Sequence, residues 1–292
     1  MNRFLKQLSQ PGVLVADGAT GTMLQRAGLP VGAPSELWVL ENPQGVRNLH
    51  RSYIEAGSQI ILTDTFGGTR FKLEKTGLGA RATEINTRAA ELARAEAGEG
   101  VLVFGDMGPT GLLMDPFGPL SREDAVSAYA EQARALAEGG VDALLIETMS
   151  DLNEATAAVE GARQATSLPV LVTMSYDSHG RTMMGVKPAR AARELAALGV
   201  DVIGANCGRT LSETLAAVEE IRQAAPEAIL MAKPNAGLPH MDGSEAVYDV
   251  SPEVMAEYAG KFGALGVKIL GGCCGSTPAH IQAIAAALHA GA

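Results

Sequence analysis

LGVDVIG, at residues 198–204, places a glycine directly before a short apolar run, and the same arrangement recurs along the chain. A glycine at that point is typical of a helix C-terminus, and an unbroken apolar run is typical of a parallel strand buried on both faces. Three further segments share the pattern: AGSQIIL at 56–62, GGVDALL at 139–145 and LGVKILG at 265–271. The pattern therefore predicts a passage from helix to buried parallel strand at each of these points.

Apolar runs of strand length alternate with segments of helical periodicity along the whole chain. The runs lie at residues 13–16, 60–63, 101–105, 143–146, 170–174, 202–205, 229–232 and 267–270. Strict alternation predicts an α/β fold, a single (β/α)8 TIM-type barrel over residues 1–292 with a short N-terminal helix at about 2–10. An open doubly wound sheet is the alternative, and it is disfavoured because no G-x-G-x-x-G follows the first strand.

Composition and charge exclude several classes of protein. Hydrophobic residues make up 47% of the chain and charged residues 19%, which is ordinary for a globular protein. The net charge of −10 argues against nucleic acid or an anionic membrane surface as a partner. We expect no signal peptide and no membrane span, because the apolar stretches are too short. Three cysteines, two of them adjacent, do not suit a disulfide framework and favour a reducing, cytoplasmic location.

All three cysteines follow predicted strands, at the barrel end where reacting groups collect. Cys207 follows the sixth strand, and Cys273 and Cys274 follow the eighth between glycines that let the chain bend round one ion. Three thiolates suit Zn²⁺, and three protein ligands leave one coordination position open, as in catalytic zinc sites. The alternative, that cysteines are small buried hydrophobes, fits Cys207 alone better than it fits the adjacent pair. The sequence therefore predicts a catalytic zinc site.

Two acidic residues follow the first and fourth strands at the same end of the barrel. Asp17 and Glu147 together would hold a substrate ammonium group. The N–H groups of Gly18, Ala19 and Thr20 would suit its carboxylate. The alternatives are that Asp17 caps a helix N-terminus and that Glu147 belongs to a structural ion pair. The pattern by itself does not decide between these roles and an amino-acid clamp.

Seven motifs resemble those of the homocysteine S-methyltransferase family in order and spacing. They run from about residue 12 to about residue 290: DGATGT, TDTFGGTRFKL, GPTG followed by FGPLS, IETMSD, GANCG, KPNAGLP and GGCCGSTPAHI. Within the family, KPNAGLP followed by a tyrosine and SPE is most similar to the N-terminal homocysteine-binding module of cobalamin-dependent methionine synthase. One position departs from the pattern: Asp64 stands where relatives usually carry asparagine, so a neutral hydrogen-bonding role is not carried over to it.

The resemblance implies methyl transfer to the thiolate of L-homocysteine, giving L-methionine. It implies zinc bound by Cys207, Cys273 and Cys274, with the homocysteine sulfur as a fourth ligand. The implied contacts of the amino-acid end are Asp17, Gly18, Ala19, Thr20, Glu147 and Asn206. Since zinc deprotonates a bound thiol, we expect no catalytic residue beyond the zinc site.

The resemblance also bears on the methyl donor and on the fourth zinc ligand. Methylcobalamin, held by another domain or supplied free, is the predicted donor. The alternative donors are betaine and S-methylmethionine. The alternative functions are a homocysteine-binding module without turnover on its own, and a redox pair formed by Cys273 and Cys274. Asn235, after the seventh strand, is a candidate zinc ligand when substrate is absent. Three long segments are candidates for lids or donor contacts: 110–120, 175–187 and 237–250.

Overall fold

Eight parallel strands lie at the centre of a computed structural model that describes residues 2–242 and 245–289. The strands are β1 (Leu14–Val15), β2 (Ile60–Leu62), β3 (Leu102–Met107), β4 (Ala143–Met149), β5 (Val170–Met174), β6 (Val202–Cys207), β7 (Leu230–Pro234) and β10 (Val267–Leu270). Their order in the sheet is β1-β10-β7-β6-β5-β4-β3-β2, and a parallel bridge from Ala16 to Ile60 joins the two outermost strands. The predicted (β/α)8 barrel is confirmed. Residues 1 and 290–292, and 243–244 of the predicted 237–250 segment, lie outside the described residues.

α-Helices alternate with the strands and surround them. They are α1 (Arg3–Leu8), α2 (Gly21–Arg26), α3 (Leu37–Glu41), α4 (Pro43–Glu55), α5 (Arg70–Glu74), α6 (Ala82–Ala97), α7 (Arg122–Glu138), α8 (Leu152–Ala165), α9 (Pro188–Ala197), α10 (Leu211–Ala224), α11 (Pro252–Ala264) and α12 (Pro278–His289). An antiparallel hairpin, β8 (Pro239–Asp242) with β9 (Glu245–Tyr248), follows β7 and was not predicted. Within the described ranges, no helix is both long and apolar enough to cross a bilayer.

Glycines end the helices where the sequence places them. Gly57, Gly140, Gly199 and Gly266 all have left-handed φ angles, between 69° and 100°. A side chain would make that backbone conformation costly, so glycine is the residue that ends a helix and turns the chain into the next strand. The helix-to-strand pattern of the sequence therefore has a physical basis in these four glycines, which mark the start of the strands β2, β4, β6 and β10.

Apolar side chains fill the barrel at the N-terminal ends of the strands. Helix α1, which confirms the predicted N-terminal helix, packs Phe4 edge-on against Phe104 of β3, with ring centroids 4.9 Å apart. Both side chains are fully buried, in a cluster with inward-facing residues of the other strands. Because this end is closed by packing, polar side chains that point into the barrel collect at the opposite, C-terminal end.

Candidate metal centre

The three cysteine sulfurs converge at the C-terminal end of the barrel. Cys207 is the last residue of β6, and Cys273 and Cys274 follow β10; all three Sγ atoms lie within 4.8 Å of one another. The Sγ atoms of Cys207 and Cys273 are 3.0 Å apart. Backbone hydrogen bonds on either side of β7 hold this arrangement, from Cys273 N–H to the Pro234 carbonyl and from Asn235 N–H to the Cys207 carbonyl. The structure thus brings together residues that are 66 positions apart in sequence.

These sulfurs fit a tetrahedral zinc ion. Two sulfur ligands of a tetrahedral zinc ion, each bonded at about 2.3 Å, are about 3.8 Å apart. This separation lies between the 3.0 Å that separates Cys207 Sγ from Cys273 Sγ and the 4.8 Å within which all three sulfurs lie. Among the described residues, the three cysteines are the group of histidine, cysteine or acidic side chains whose ligand atoms lie close enough to share one metal ion. Three soft thiolates with no fourth cysteine or histidine form a donor set typical of zinc with an open position.

The side-chain amide of Asn206 is oriented toward the sulfurs. Its Oδ1 atom accepts hydrogen bonds from the Thr173 hydroxyl at 2.7 Å and from Thr148 N–H at 2.8 Å, which fixes the amide orientation. Its Nδ2 atom consequently points to Cys207 Sγ at 3.5 Å and Cys273 Sγ at 3.9 Å. Asn206 is therefore placed to stabilise negative charge on the sulfurs rather than to line the cavity directly.

Backbone strain is concentrated beside the sulfurs. Cys207 and Thr148 are two of the three non-glycine residues with a positive φ angle in the described structure, at 57° and 61°. Two hydrogen bonds with the Asn206 side chain hold Thr148 in this conformation. Thr148 N–H donates to Asn206 Oδ1 at 2.8 Å, and the Thr148 hydroxyl accepts from Asn206 Nδ2 at 2.6 Å. Such conformations persist where surrounding contacts enforce them, as at ligand sites.

The thiol group of one cysteine is acidified by the other two. Hydrogen bonds from Cys207 and Cys273 lower the pKa of Cys274 to about 3, although burial opposes this. The same hydrogen bonding, to Cys273 first and Cys274 second, raises the pKa of Cys207 well above its ordinary value. The cluster therefore favours a thiolate on Cys274 and raises the pKa of the thiols of Cys207 and Cys273, whose protons a binding metal ion would displace.

A cavity of about 360 Å³ opens beside the sulfurs. Its wall includes Gly18, Ala19, Thr20, Asp64, Phe66, Asp106, Glu147, Lys233 and the three cysteines. The predicted substrate residues Gly18, Ala19, Thr20 and Glu147 are thus on one cavity with the sulfurs. Asp17 and Asn206 are buried behind that wall, at 2% and 1% exposure.

A buried lysine that the sequence analysis missed lies between two predicted substrate residues. Lys233 Nζ, on β7, is 3.5 Å from Asp17 Oδ1 and 3.5 Å from Glu147 Oε2. Burial raises the pKa of Asp17 to about 6, against the opposing effect of Lys233. Burial alone would lower the pKa of Lys233, but Glu147 and Asp17 raise it above its ordinary value. The sequence signal was a lysine inside the otherwise apolar strand LMAKP.

The segment after β7 packs against the cysteine loop. The N–H of Ala236 donates to the Cys274 carbonyl at 2.9 Å. A Cβ atom on Gly275 would come within 2.1 Å of the Tyr248 ring, so only glycine lets the end of the hairpin lie this close to Cys274. The Nδ2 atom of Asn235 donates to the Gly208 carbonyl at 2.8 Å, whereas its buried Oδ1 atom has no hydrogen-bond partner among the described residues.

Asp64, the departure from the family pattern, is a buried carboxyl group next to another. Its Oδ1 atom accepts a hydrogen bond from the Ser35 hydroxyl at 2.5 Å, and Glu36 is its acidic neighbour. Burial, and then the charge of Glu36, raise the pKa of Asp64 to about 8. Asp64 is therefore mostly protonated at neutral pH, and a protonated carboxyl presents an O–H donor beside a carbonyl acceptor, much as an asparagine amide presents N–H donors beside its carbonyl.

Replacing Asp64 by asparagine should make the protein more resistant to alkaline unfolding. The folded-state pKa of about 8 lies above the ordinary 3.8, so the folded protein binds more protons between these values and loses stability as the pH rises through them. The asparagine amide does not titrate, so D64N lacks this loss, which amounts to roughly 1.4 kcal/mol in the free energy of unfolding for each pH unit and proton. Urea unfolding of D64N and wild type from about pH 5 to about pH 9 measures it, with the exposed D249N as control. Parallel stability curves for D64N and wild type would contradict the assignment.

Comparisons with known proteins place this chain in a family. The sequence profile of the family described as Homocysteine S-methyltransferase matches residues 14–288. The methionine synthases of Mycobacterium leprae (strain TN) and Mycobacterium tuberculosis are each 33% identical to it over 296 aligned residues. These alignments cover 94% of this chain but 24% of each relative, so the chain spans about a quarter of their length.

A comparison with solved structures leads to the same family. The metallated form of the homocysteine methyltransferase MmuM from Escherichia coli matches with a TM-score of 0.81 and 26% identity, over 97% of this chain and 98% of that one. A methyltransferase from Methanosarcina mazei, 13% identical with a TM-score of 0.65, shares the fold. With the profile matching nearly the whole barrel, the chain belongs to the homocysteine S-methyltransferase family.

Proposed function

We propose that the chain transfers a methyl group to the thiolate of L-homocysteine, giving L-methionine, with Zn²⁺ held by Cys207, Cys273 and Cys274. The observation that carries this proposal is the convergence of three sulfurs, within 4.8 Å, on the wall of a cavity of about 360 Å³. A cavity of this size accepts an amino acid with a four-carbon chain, and the family membership supplies the reaction class.

The chain's own residues bind and orient the substrate. Bound zinc would keep the homocysteine sulfur deprotonated at neutral pH. Asn206, whose amide already points to Cys207 and Cys273, would hold the negative charge that gathers there. The backbone of Gly18, Ala19 and Thr20 takes the substrate carboxylate.

The acidic wall of the cavity receives the ammonium group. Glu147 lies on that wall and Asp17 lies directly behind it. Lys233 offsets part of their negative charge and so favours the ionised form of both carboxyl groups against the effect of burial. Together with the backbone at Gly18, these groups form the amino-acid clamp.

Asn235 is proposed as a zinc ligand when substrate is absent. Its buried Oδ1 atom has no hydrogen-bond partner in the described ranges, while its Nδ2 atom is fixed on Gly208. Its neighbours Pro234 and Ala236 are hydrogen-bonded to the two adjacent cysteines. A zinc-loaded, substrate-free crystal structure with water in place of this amide oxygen would contradict the assignment.

Methylcobalamin, held by another domain or supplied free, is the proposed methyl donor. Its support is the similarity to methionine synthases four times as long, in which other parts of the chain are available to carry a donor. The barrel of MmuM, which this chain matches over nearly its full length, favours a second candidate. That candidate is a stand-alone homocysteine methyltransferase that uses betaine or S-methylmethionine, in a cytoplasmic setting in either case.

Methionine formation from three donors tests the proposed function. Zinc-loaded protein with homocysteine should form methionine from free methylcobalamin, and removal of zinc by a chelator should abolish it. Turnover with betaine or S-methylmethionine alone would select the second candidate. Homocysteine binding without turnover from any free donor would leave a binding module that acts only with a donor domain. Thiol titration with and without chelator separates the redox alternative, since bound thiolates are protected until zinc leaves.

A further inference from the structure

Tyr53 is a buried tyrosine on α4 whose hydroxyl group has no part in the function proposed above. Its side chain is 1% exposed. The hydroxyl donates to the Ala19 carbonyl at 2.7 Å and to the Ser276 carbonyl at 3.0 Å, so one proton is shared between two distant parts of the chain. Tyr53 therefore joins the segment that follows β1 to the segment that follows β10, and these two strands are neighbours in the barrel.

The segment after β1, residues 18–20, is the one proposed to take the substrate carboxylate. Ala19 lies at its centre, and its N–H group donates to the Ser276 carbonyl at 3.2 Å. Because its own carbonyl accepts from Tyr53, Ala19 anchors the segment through both of its backbone groups. The N–H groups of Gly18 and Thr20 donate to no group in the part of the chain that the structure describes, so they remain for a carboxylate.

The segment after β10, residues 273–276, carries two of the three sulfurs. Ser276 is fully buried, and its N–H group at 3.1 Å and its hydroxyl at 2.6 Å both donate to the Cys273 carbonyl. A shift of Ser276 would therefore move Cys273 as well. The junction is also closely packed, since a Cβ atom on Gly18 would come within 2.8 Å of the Tyr53 hydroxyl and 2.9 Å of the Ser276 hydroxyl.

We propose that the Tyr53 hydroxyl is a positioning group that fixes the separation between residues 18–20 and residues 273–276, and so selects homocysteine over shorter aminothiols. A ligand held at both ends binds tightly only where its length matches the separation of the two sites. Cysteine is one methylene group shorter than homocysteine, so it does not engage both segments when their separation is fixed. This inference rests on the proposed function, because it takes homocysteine to span the two segments.

The main competing role for Tyr53 is to pack α4 against the barrel. In that case, loss of the hydroxyl would lower the stability without changing which thiol binds. Y53F separates the two roles, because it keeps the ring and removes only the hydroxyl. Y129F is the matched control: Tyr129, on α7, is also fully buried, and its hydroxyl also donates to two acceptors, the Gly108 carbonyl at 3.2 Å and Glu154 Oε1 at 3.0 Å.

Calorimetric binding of three thiols to zinc-loaded wild type, Y53F and Y129F tests the proposal. Cysteine has the groups of homocysteine at a shorter length, and 2-mercaptoethanol has neither an ammonium nor a carboxylate group. Wild type should bind homocysteine about 10- to 100-fold more tightly than cysteine, a range typical of one missing methylene group. Y53F should bind homocysteine about 3- to 10-fold more weakly, the equivalent of one net hydrogen bond, and keep cysteine and 2-mercaptoethanol within about twofold. Y129F should bind all three as wild type does.

Zinc content and thermal unfolding show whether each variant is loaded and folded. If Y53F does not fold, S276A replaces it: this variant removes the hydroxyl that ties Ser276 to Cys273, and it should give the same pattern of binding.

Equal weakening of homocysteine and 2-mercaptoethanol would overturn the proposal, because the hydroxyl would then act on the cysteines alone. Unchanged homocysteine binding in the variant would also overturn it, as would a wild type that binds cysteine within threefold of homocysteine. Each of these results leaves the proposed function standing. Failure of zinc-loaded wild type to bind homocysteine would overturn the proposed function and this inference together.

Discussion

Replacing Cys273 by serine should remove tight zinc binding and lower methyl transfer by more than about 100-fold. Loss of contacts outside the ligand shell costs 10- to 100-fold in metal affinity or activity, so loss of a ligand itself costs more. Cys273 Sγ also lies 3.0 Å from Cys207 Sγ and accepts a hydrogen bond from Asn206 Nδ2, so its removal leaves two sulfurs and takes away one hydrogen-bond acceptor of Asn206. The expected result is a folded protein without stoichiometric zinc.

Metal content after dialysis, together with methionine formation, measures this effect. S212A, an exposed hydroxyl deletion at the start of α10, is the control and should retain wild-type zinc and activity. Thermal unfolding separates loss of metal from loss of fold. A C273S protein that retains one zinc ion with wild-type affinity would show that the three cysteines do not share the ion.

Replacing Lys233 by methionine should destabilise the fold by about 3–5 kcal/mol at neutral pH. Removing one partner of a buried ion pair leaves the other charges uncompensated in a low-dielectric interior. Here one ammonium group, at 3% side-chain exposure, compensates both Asp17 and Glu147. Methionine has a similar length and fills the space, so the loss reports the charge and not a cavity.

Urea unfolding at about pH 7 and about pH 5 measures the loss and its origin. The destabilisation should shrink at the lower pH, because protonation of the two carboxyl groups removes their uncompensated charge. K261M is the matched control: Lys261 pairs with Glu257 at 2.8 Å on the surface of α11, and such exposed pairs contribute about 0–1 kcal/mol. Equal, small losses for K233M and K261M would contradict the role given to Lys233.

The sequence was sufficient to predict the barrel because the signals that carry it are local. The strands are apolar runs, and four of the preceding helices end at a glycine whose φ angle only glycine adopts easily, as at Gly199. Cys207, Cys273 and Cys274 could be grouped because a barrel places the ends of all its strands on one face. Strand β5 and strand β10 have the predicted bounds.

What the sequence did not reveal depends on partners that are distant along the chain. Strands β4 and β6 extend beyond their predicted ends. In β4, Met149 pairs with Met174 of β5 after an irregularity, and in β6 the pairing with β7 continues through Asn206 and Cys207. Lys233 was missed because its pairing with Asp17, 216 residues away, has no local signature.

The hairpin of β8 and β9 was missed for a different reason. The segment 237–250 has no long alternation of apolar and polar residues, and it was predicted as a lid or donor contact. Its antiparallel pairing begins with Pro239 opposite Tyr248, and the ring of Tyr248 lies against Gly275, next to Cys274. The role of this segment in contacts with a donor domain stays a prediction.

Zinc X-ray absorption of the purified chain, with and without homocysteine, tests the central claim most directly. We expect one zinc ion per chain, with three sulfur neighbours at about 2.3 Å and one lighter atom before homocysteine is added, and four sulfur neighbours afterwards. A sulfur shell that does not change when homocysteine binds, or zinc bound through fewer than three sulfurs, would contradict it.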